Sequence, residues 1–312
     1  MSLTTRMVVA ATVTAALILA KTRLDNSDHD FDFDSDDRGH RTAEWNWQGK
    51  VPAGQWARIR NLNGAIKVES ATGDELRVTA IKRWTRGDPD RVRIVANKGH
   101  ADGDVTICAM WGRGGKCAED GYKSRTRRST WMKMFGGKND VSVLFKVAVP
   151  RGVKLDATTV NGEITILDVG EAVKASTVNG GIKAMTARGP LDASTVNGSI
   201  TARVDSLVGD AGVKLSTVNG SVTAELPDQI NAVIDLSTVN GKFWTNYPVA
   251  ASTEKHPRRM HAILGSGGPE LKLSTVNGSV TLKKMVMNHE QAVVVRAGKQ
   301  TVVRQVQKVV TP

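Results

Sequence analysis

From Arg151 onward, apolar and polar residues alternate with a period of two, punctuated by a recurring Thr-Val-Asn-Gly string whose asparagine falls at Asn161, Asn179, Asn197, Asn219, Asn240 and Asn277. Aligned on that asparagine, the position six before it is aliphatic in every copy (Leu155, Val173, Leu191, Val213, Ile234, Leu271). The position three after it is apolar in every copy (Ile164, Ile182, Ile200, Val222, Phe243, Val280). A period of two belongs to strands with one buried face, so each copy predicts two strands meeting at an Asn-Gly corner. The spacings of 18, 18, 22, 21 and 37 residues are those of a solenoid with coils of about 18–22 residues. Upstream, residues 45–150 also read as strands. Alternation is clear in Leu76–Ala80, Val92–Ile94 and Val141–Val147, and Arg58–Val68 carries a weaker copy of the repeat around Asn63 and Gly64. Pro150 and Gly152 mark a turn into the main array at residues 151–283, a soft boundary across which packing is expected to continue.

An Asn-Gly pair between strands ordinarily suggests a hairpin, with glycine supplying a positive φ. The position five before each asparagine argues for stacked parallel coils instead. It reads Asp156, Lys174, Asp192, Lys214, Asp235 and Lys272, changing sign at every copy. Coils stacked in chain order would place these side chains one strand spacing apart, where opposite charges pair and like charges repel. An exposed pair contributes under about 1 kcal/mol, so this ladder sets register more than stability. The corners themselves, Asn161-Gly162, Asn179-Gly180, Asn197-Gly198, Asn219-Gly220, Asn240-Gly241 and Asn277-Gly278, are expected to be structural, with threonines in one column and asparagine amides bonding to one another in another. The alternation changes phase at the corner, so the pattern leaves open whether the valine or the asparagine points inward. Residues 246–269, with Lys255, His256, Arg258, Arg259 and His261, read as an inserted loop or a degenerate coil.

Composition narrows the function classes. The 312 residues are 40% apolar and only 4% aromatic, enough for a core and with no apolar run of spanning length, and the net charge is +12. Residues 7–20 are uncharged and mostly apolar between Arg6 and Lys21, which predicts a secretory signal or N-terminal anchor over residues 1–20. Residues 21–44 follow as an acidic linker; Asp28, Asp30 and Asp32 each start a D-x-D run, but none offers both the glycine and the glutamate of a calcium loop. The body beyond residue 39 is then more basic than the whole chain. Cys108 and Cys117, nine apart in an exported chain, predict a disulfide. Within the insertion 110–139, Lys123, Arg125, Arg127, Arg128 and Lys133 surround Trp131 with no acid from Gly121 to Lys138, the most pointed signal for an anionic surface such as lipid headgroups or acidic polysaccharide. Residues 284–312 read as a basic, valine-rich tail or cap.

The export signal, the I-x-N-x-N-G-x-I-x-V opening (Ile59–Val68), the V-x-V-P-x-G step (Val147–Gly152) and the S-T-V-N-G-S-V-T array together resemble the bacterial putative-adhesin family, β-strand-repeat proteins related to head GIN domain adhesins. The resemblance covers about residues 45–285. It implies an all-β fold, a right-handed parallel β-helix, and a periplasmic, surface or extracellular setting; it brings no catalytic residue, metal or cofactor. The leading expectation is a non-catalytic envelope or surface protein, an adhesin or scaffold, whose partner is an anionic cell-surface polymer or lipid and not a nucleic acid. Two alternatives are a β-helix polysaccharide-active enzyme, which needs paired carboxylates that the repeats do not offer, and a self-assembling scaffold joined at exposed strand edges. No P-loop, nucleophile elbow, H-E-x-x-H or dinucleotide fingerprint is present.

Overall fold

The computed structural model describes residues 40–99, 103–112, 115–118, 121–124, 139–186, 189–207, 212–249, 258–285, 296–297 and 300–301. The expected signal or anchor, most of the acidic linker and most of the C-terminal tail lie outside the described residues. The chain is all-β. Its N-terminal half contains β1 (Arg41–Lys50), β2 (Trp56–Arg60), β3 (Ile66–Ser70), β4 (Glu75–Trp84), β5 (Val92–Lys98), β6 (Val105–Trp111), β7 (Gly115–Ala118), β8 (Gly121–Ser124) and β9 (Ser142–Val149). The repeats supply β10 (Lys154–Thr158), β11 (Ile164–Leu167), β12 (Val173–Ser176), β13 (Ile182–Thr186), β14 (Leu191–Asn197), β15 (Ile200–Val204), β16 (Val213–Asn219) and β17 (Val222–Leu226). The last part holds β18 (Ala232–Asn240), β19 (Phe243–Thr245), β20 (Arg259–Leu264), β21 (Glu270–Asn277) and β22 (Val280–Lys284).

All of these strands but β7 and β8, which pair with each other, form two large mixed sheets of ten strands each, ordered β1-β4-β9-β3-β11-β13-β15-β17-β22-β19 and β20-β18-β21-β16-β14-β12-β10-β2-β6-β5. Each Thr-Val-Asn-Gly copy sends its first strand into the second sheet and its second strand into the first, so one repeat makes one rung. Neighbouring rungs pair in parallel and in register: Leu155 lies beside Val173, Val173 beside Leu191, and Ile164 beside Ile182. The strands before Pro150 join the same stack, since β10 pairs with β2 and β11 with β3. Residues 41–44, read as linker from the sequence, belong to β1, which pairs antiparallel with β4.

The rungs do not follow chain order at the C-terminal end. The coil of Asn277 inserts between those of Asn219 and Asn240: β21 pairs with β16 on one side and β18 on the other, and β22 lies between β17 and β19. Residues 246–269, of which 250–257 lie outside the described residues, include one strand. Their strand β20 runs antiparallel to β18 and covers its outer edge, and the chain then turns back to fill the gap. β9 is placed in the same way, between β3 and β4. Lys284, where the expected tail begins, is the last residue of β22.

The core lies between the sheets. Leu155, Val173, Leu191, Val213, Leu271 and Ile234 form one buried column, and Ile164, Ile182, Ile200, Val222 and Val280 face them from the other sheet. Each large aliphatic side chain so buried contributes about 2 kcal/mol, repeated with every rung added.

Candidate functional site

The corner chemistry settles the phase left open by the sequence. Thr159, Thr177, Thr195, Thr217, Thr275 and Thr238 point inward and are buried, while the valine and the asparagine both face out. Each threonine hydroxyl donates across the rung spacing to a glycine carbonyl: Thr177 to Gly162 at 3.0 Å, Thr195 to Gly180 at 2.9 Å, Thr275 to Gly220 at 2.8 Å and Thr238 to Gly278 at 3.0 Å. The asparagine amides form one uninterrupted ladder on the outside. Asn179 donates to Asn161, Asn197 to Asn179, Asn219 to Asn197, Asn277 to Asn219 and Asn240 to Asn277, each at 2.8–2.9 Å.

The glycine requirement has a different cause from the expected one. Gly162, Gly220 and Gly278 have φ of 157–158°, at the margin of extended backbone, and Gly180, Gly198 and Gly241 do not lie in the left-handed region. What excludes a side chain is the neighbouring rung: a Cβ on Gly180 would fall inside the van der Waals envelope of the Gly162 carbonyl, and one on Gly198 inside that of Gly180. Backbone approaches this close admit only glycine.

On the outer face of the second sheet the charged column runs in the order Arg58, Asp156, Lys174, Asp192, Lys214, Lys272, Asp235. Asp192 lies between Lys174 and Lys214, as the ladder requires. The alternation expected at every copy fails at one step, because the inserted coil places Lys272 directly beside Lys214. Asp235 is displaced to the far side of Lys272 and takes Arg259 of β20 as partner, with Nη2 at 2.7 Å and Nε at 3.2 Å. The guanidinium donating to it holds the Asp235 carboxyl below its ordinary range against the opposing effect of burial.

Beside this column runs an open trough with a volume of about 360 Å³. Its floor is made by three small or compact residues at equivalent positions of successive rungs, Ala172, Pro190 and Gly212, and its wall by Lys174, Asp192, Lys214 and Lys272. Glu270 closes one end and Trp56 the other. Gly212 keeps the floor low for a steric reason, since a Cβ there would collide with the Glu270 carbonyl. Trp56 is fixed through its backbone N–H, which donates to Asp104 at 2.7 Å; Asp104 in turn holds Arg58 at 2.6 Å. The Nζ atoms of Lys174 and Lys154 lie 5.0 Å and 5.8 Å from the indole centroid, cation–π distances that orient the ammonium groups at the trough. The arrangement offers cations, hydroxyl acceptors and an aromatic end along a line, which suits an extended ligand.

The sequence singled out the charged wall but missed Trp56 and Lys154. The available signal was the position seven before each corner asparagine, which is large in Trp56 and Lys154 and small from Ala172 to Gly212. Cys108 and Cys117 are joined by a disulfide that ties β7 to β6. Asn97 donates to the Cys117 carbonyl at 2.9 Å, adding a second tie. Lys123 lies in β8, which pairs antiparallel with β7. Arg125, Arg127, Arg128, Trp131 and Lys133 lie outside the described residues, as do Lys255 and His256. Among the described residues no three His, Cys, Asp or Glu side chains gather as a metal site, and no helix is long and apolar enough to cross a membrane.

No family model matches this sequence, and no curated protein matches it. Solved structures do show a likeness. A putative cell adhesion protein from Clostridium sporogenes is 12% identical, with a TM-score of 0.48 over 78% of this chain and 100% of its own. A putative adhesin from Bacteroides fragilis is 11% identical at a TM-score of 0.34, covering 78% and 97% of the two chains. Another from Parabacteroides merdae is 10% identical at 0.23, covering 78% and 96%. These three are named as a putative cell adhesion protein and two putative adhesins.

Proposed function

We propose that this chain is a non-catalytic, exported surface protein, an adhesin or scaffold, in which the rungs are turns of a right-handed parallel β-helix that lays an extended anionic polymer along its second sheet. Right-handed crossover between parallel strands is the rule for L-residues, which supports the hand. The residues before Lys21 supply the export signal in this reading. One observation carries the binding role: the trough crosses several rungs between Trp56 and Glu270 and is bordered by Lys174, Lys214 and Lys272, so a segment of an extended chain can lie along it. The acids of the same wall, Asp192 and Glu270, suit a partner that carries hydroxyl donors between its anionic groups.

Binding of the purified full-length chain to an acidic polysaccharide, its neutral counterpart and anionic vesicles, across a salt series, tests this. Retention on the acidic polymer that weakens as salt rises is expected. Equal retention on the neutral polymer, or none on either at low salt, rejects it.

Self-assembly is a second reading, favoured by the terminal rung. Trp244 on the edge strand β19 is 52% exposed and Ile263 on the edge strand β20 is 64% exposed, an arrangement that invites pairing with another copy. A concentration-dependent mass in sedimentation supports it, and a monomer at every concentration removes it.

A further inference from the structure

We propose that the Lys214–Lys272 step is a carboxylate seat, and that the ligand of the trough is a uronic-acid-containing glycan. This rests on the anionic-polymer reading above and names its chemistry. Every other neighbouring pair along the ladder is of opposite charge, whereas insertion of the last coil puts two lysines at directly paired positions, about 4.8 Å apart along the stack. Like charges placed so are unfavourable. The acids facing the step are Asp192 beside Lys214, Asp235 beside Lys272 and Glu270 at the trough end. Asp235 is occupied by Arg259, and neither Lys214 nor Lys272 makes an ion pair among the described residues. Two ammonium groups one rung apart can each donate to one oxygen of a carboxylate, which turns the repulsion into a charge-assisted contact.

The rest of the trough selects the chain bearing that carboxylate. From Ala172 to Gly212 the floor crosses two rung spacings, about 10 Å, a length that holds sugar rings in an extended chain. Asp192 and Glu270 can accept from hydroxyl groups between the anionic ones, and Trp56 bounds the far end. A polyphosphate lacks the hydroxyl donors, and a bilayer is flat where this surface is recessed.

Isothermal titration of the full chain at low salt with tetragalacturonate, with its methyl-esterified form, and with phosphatidylglycerol vesicles tests the assignment. Tetragalacturonate should bind and its methyl ester should not. Lys214→Gln and Lys272→Gln should each weaken binding about tenfold. The unliganded variants should melt close to the parent temperature at low salt, since each loses one like-charge contact together with one opposite-charge neighbour, Asp192 or Asp235; a merely structural role would lower it. If the parent binds but both variants bind equally well, while Arg125→Ala/Arg127→Ala/Arg128→Ala abolishes binding, the seat is wrong and the polymer reading stands. If the parent binds no anionic polymer, both fall. Vesicle binding without tetragalacturonate binding overturns the glycan.

Discussion

Arg60 grips Asp156 across the junction between the N-terminal half and the repeats, with Nη2 at 2.6 Å from Oδ2 and Nη1 at 2.8 Å from Oδ1. The same Nη1 reaches the Asp156 carbonyl at 3.0 Å, so β2 is fastened to β10 by side chain as well as by ladder. The Arg60 side chain is 9% exposed and that of Asp156 is 20% exposed, which makes the pair a sheltered one. Arg60→Ala leaves a largely desolvated carboxylate and is expected to cost about 3 kcal/mol in urea unfolding. Arg203→Ala, which breaks the Arg203–Asp205 pair with side chains 45% and 55% exposed, is expected to stay within about 0.5 kcal/mol. Equal losses in the two would mean that the junction is not held by this pair.

The corner glycines are expected to fail by collision and not by backbone dihedral. Gly180→Ala drives a methyl group into the Gly162 carbonyl and should cost about 2 kcal/mol or more, whereas Gly170→Ala, with open space around its Cβ, should be near neutral. Thermal melts of the two variants decide it, and a harmless Gly180→Ala would contradict the stacked corner.

Burial ranks the two polar columns. Thr195→Val removes a hydroxyl that donates to Gly180 at 2.9 Å and strands that carbonyl inside, for about 1.5 kcal/mol. Asn197→Ala breaks two amide bonds, to Asn179 and from Asn219, but in contact with water, for about 1 kcal/mol. The variant losing one bond should therefore be the less stable in denaturant unfolding. The reverse order would show that the outer ladder bears more of the load.

Asp235 makes the C-terminal end acid-sensitive. Its folded carboxyl lies below the ordinary value of 3.8 because Arg259 donates to it, so the stability from this pair is complete above that value and is lost as pH falls through the depressed one. Arg259→Gln should lower the melting temperature at neutral pH, where the contribution of the pair is complete, and flatten part of the acid limb between about pH 5 and 2, so that parent and variant converge at low pH. Parallel limbs for parent and variant would remove Asp235 as a contributor.

Periodicity alone determined that the chain is all-β, that residues six before and, apart from the half-buried Phe243, three after each corner asparagine form the core, and that Asp192 has lysines on both sides. Those properties depend on which residues are apolar and on the near-constant length of a coil, and both are written locally. The order of the last rungs was not. The 37-residue gap between Asn240 and Asn277 is visible in the sequence, but whether the returning coil adds at the end or enters a gap depends on which exposed edge β20 covers, and that is a property of the assembled sheets. The charge ladder consequently reads as perfect in sequence and is broken in space at Lys214 and Lys272. The corner went the same way: Asn-Gly signalled a turn, but only the stacked backbones reveal that glycine is required because a carbonyl of the next rung fills the space a Cβ would need. Trp56 belongs to the trough for a similarly nonlocal reason, since parallel pairing of β2 with β10 brings it beside residues some hundred positions later in the chain. Sequence period sets what each rung is made of, and the competition among sheet edges decides which rungs become neighbours.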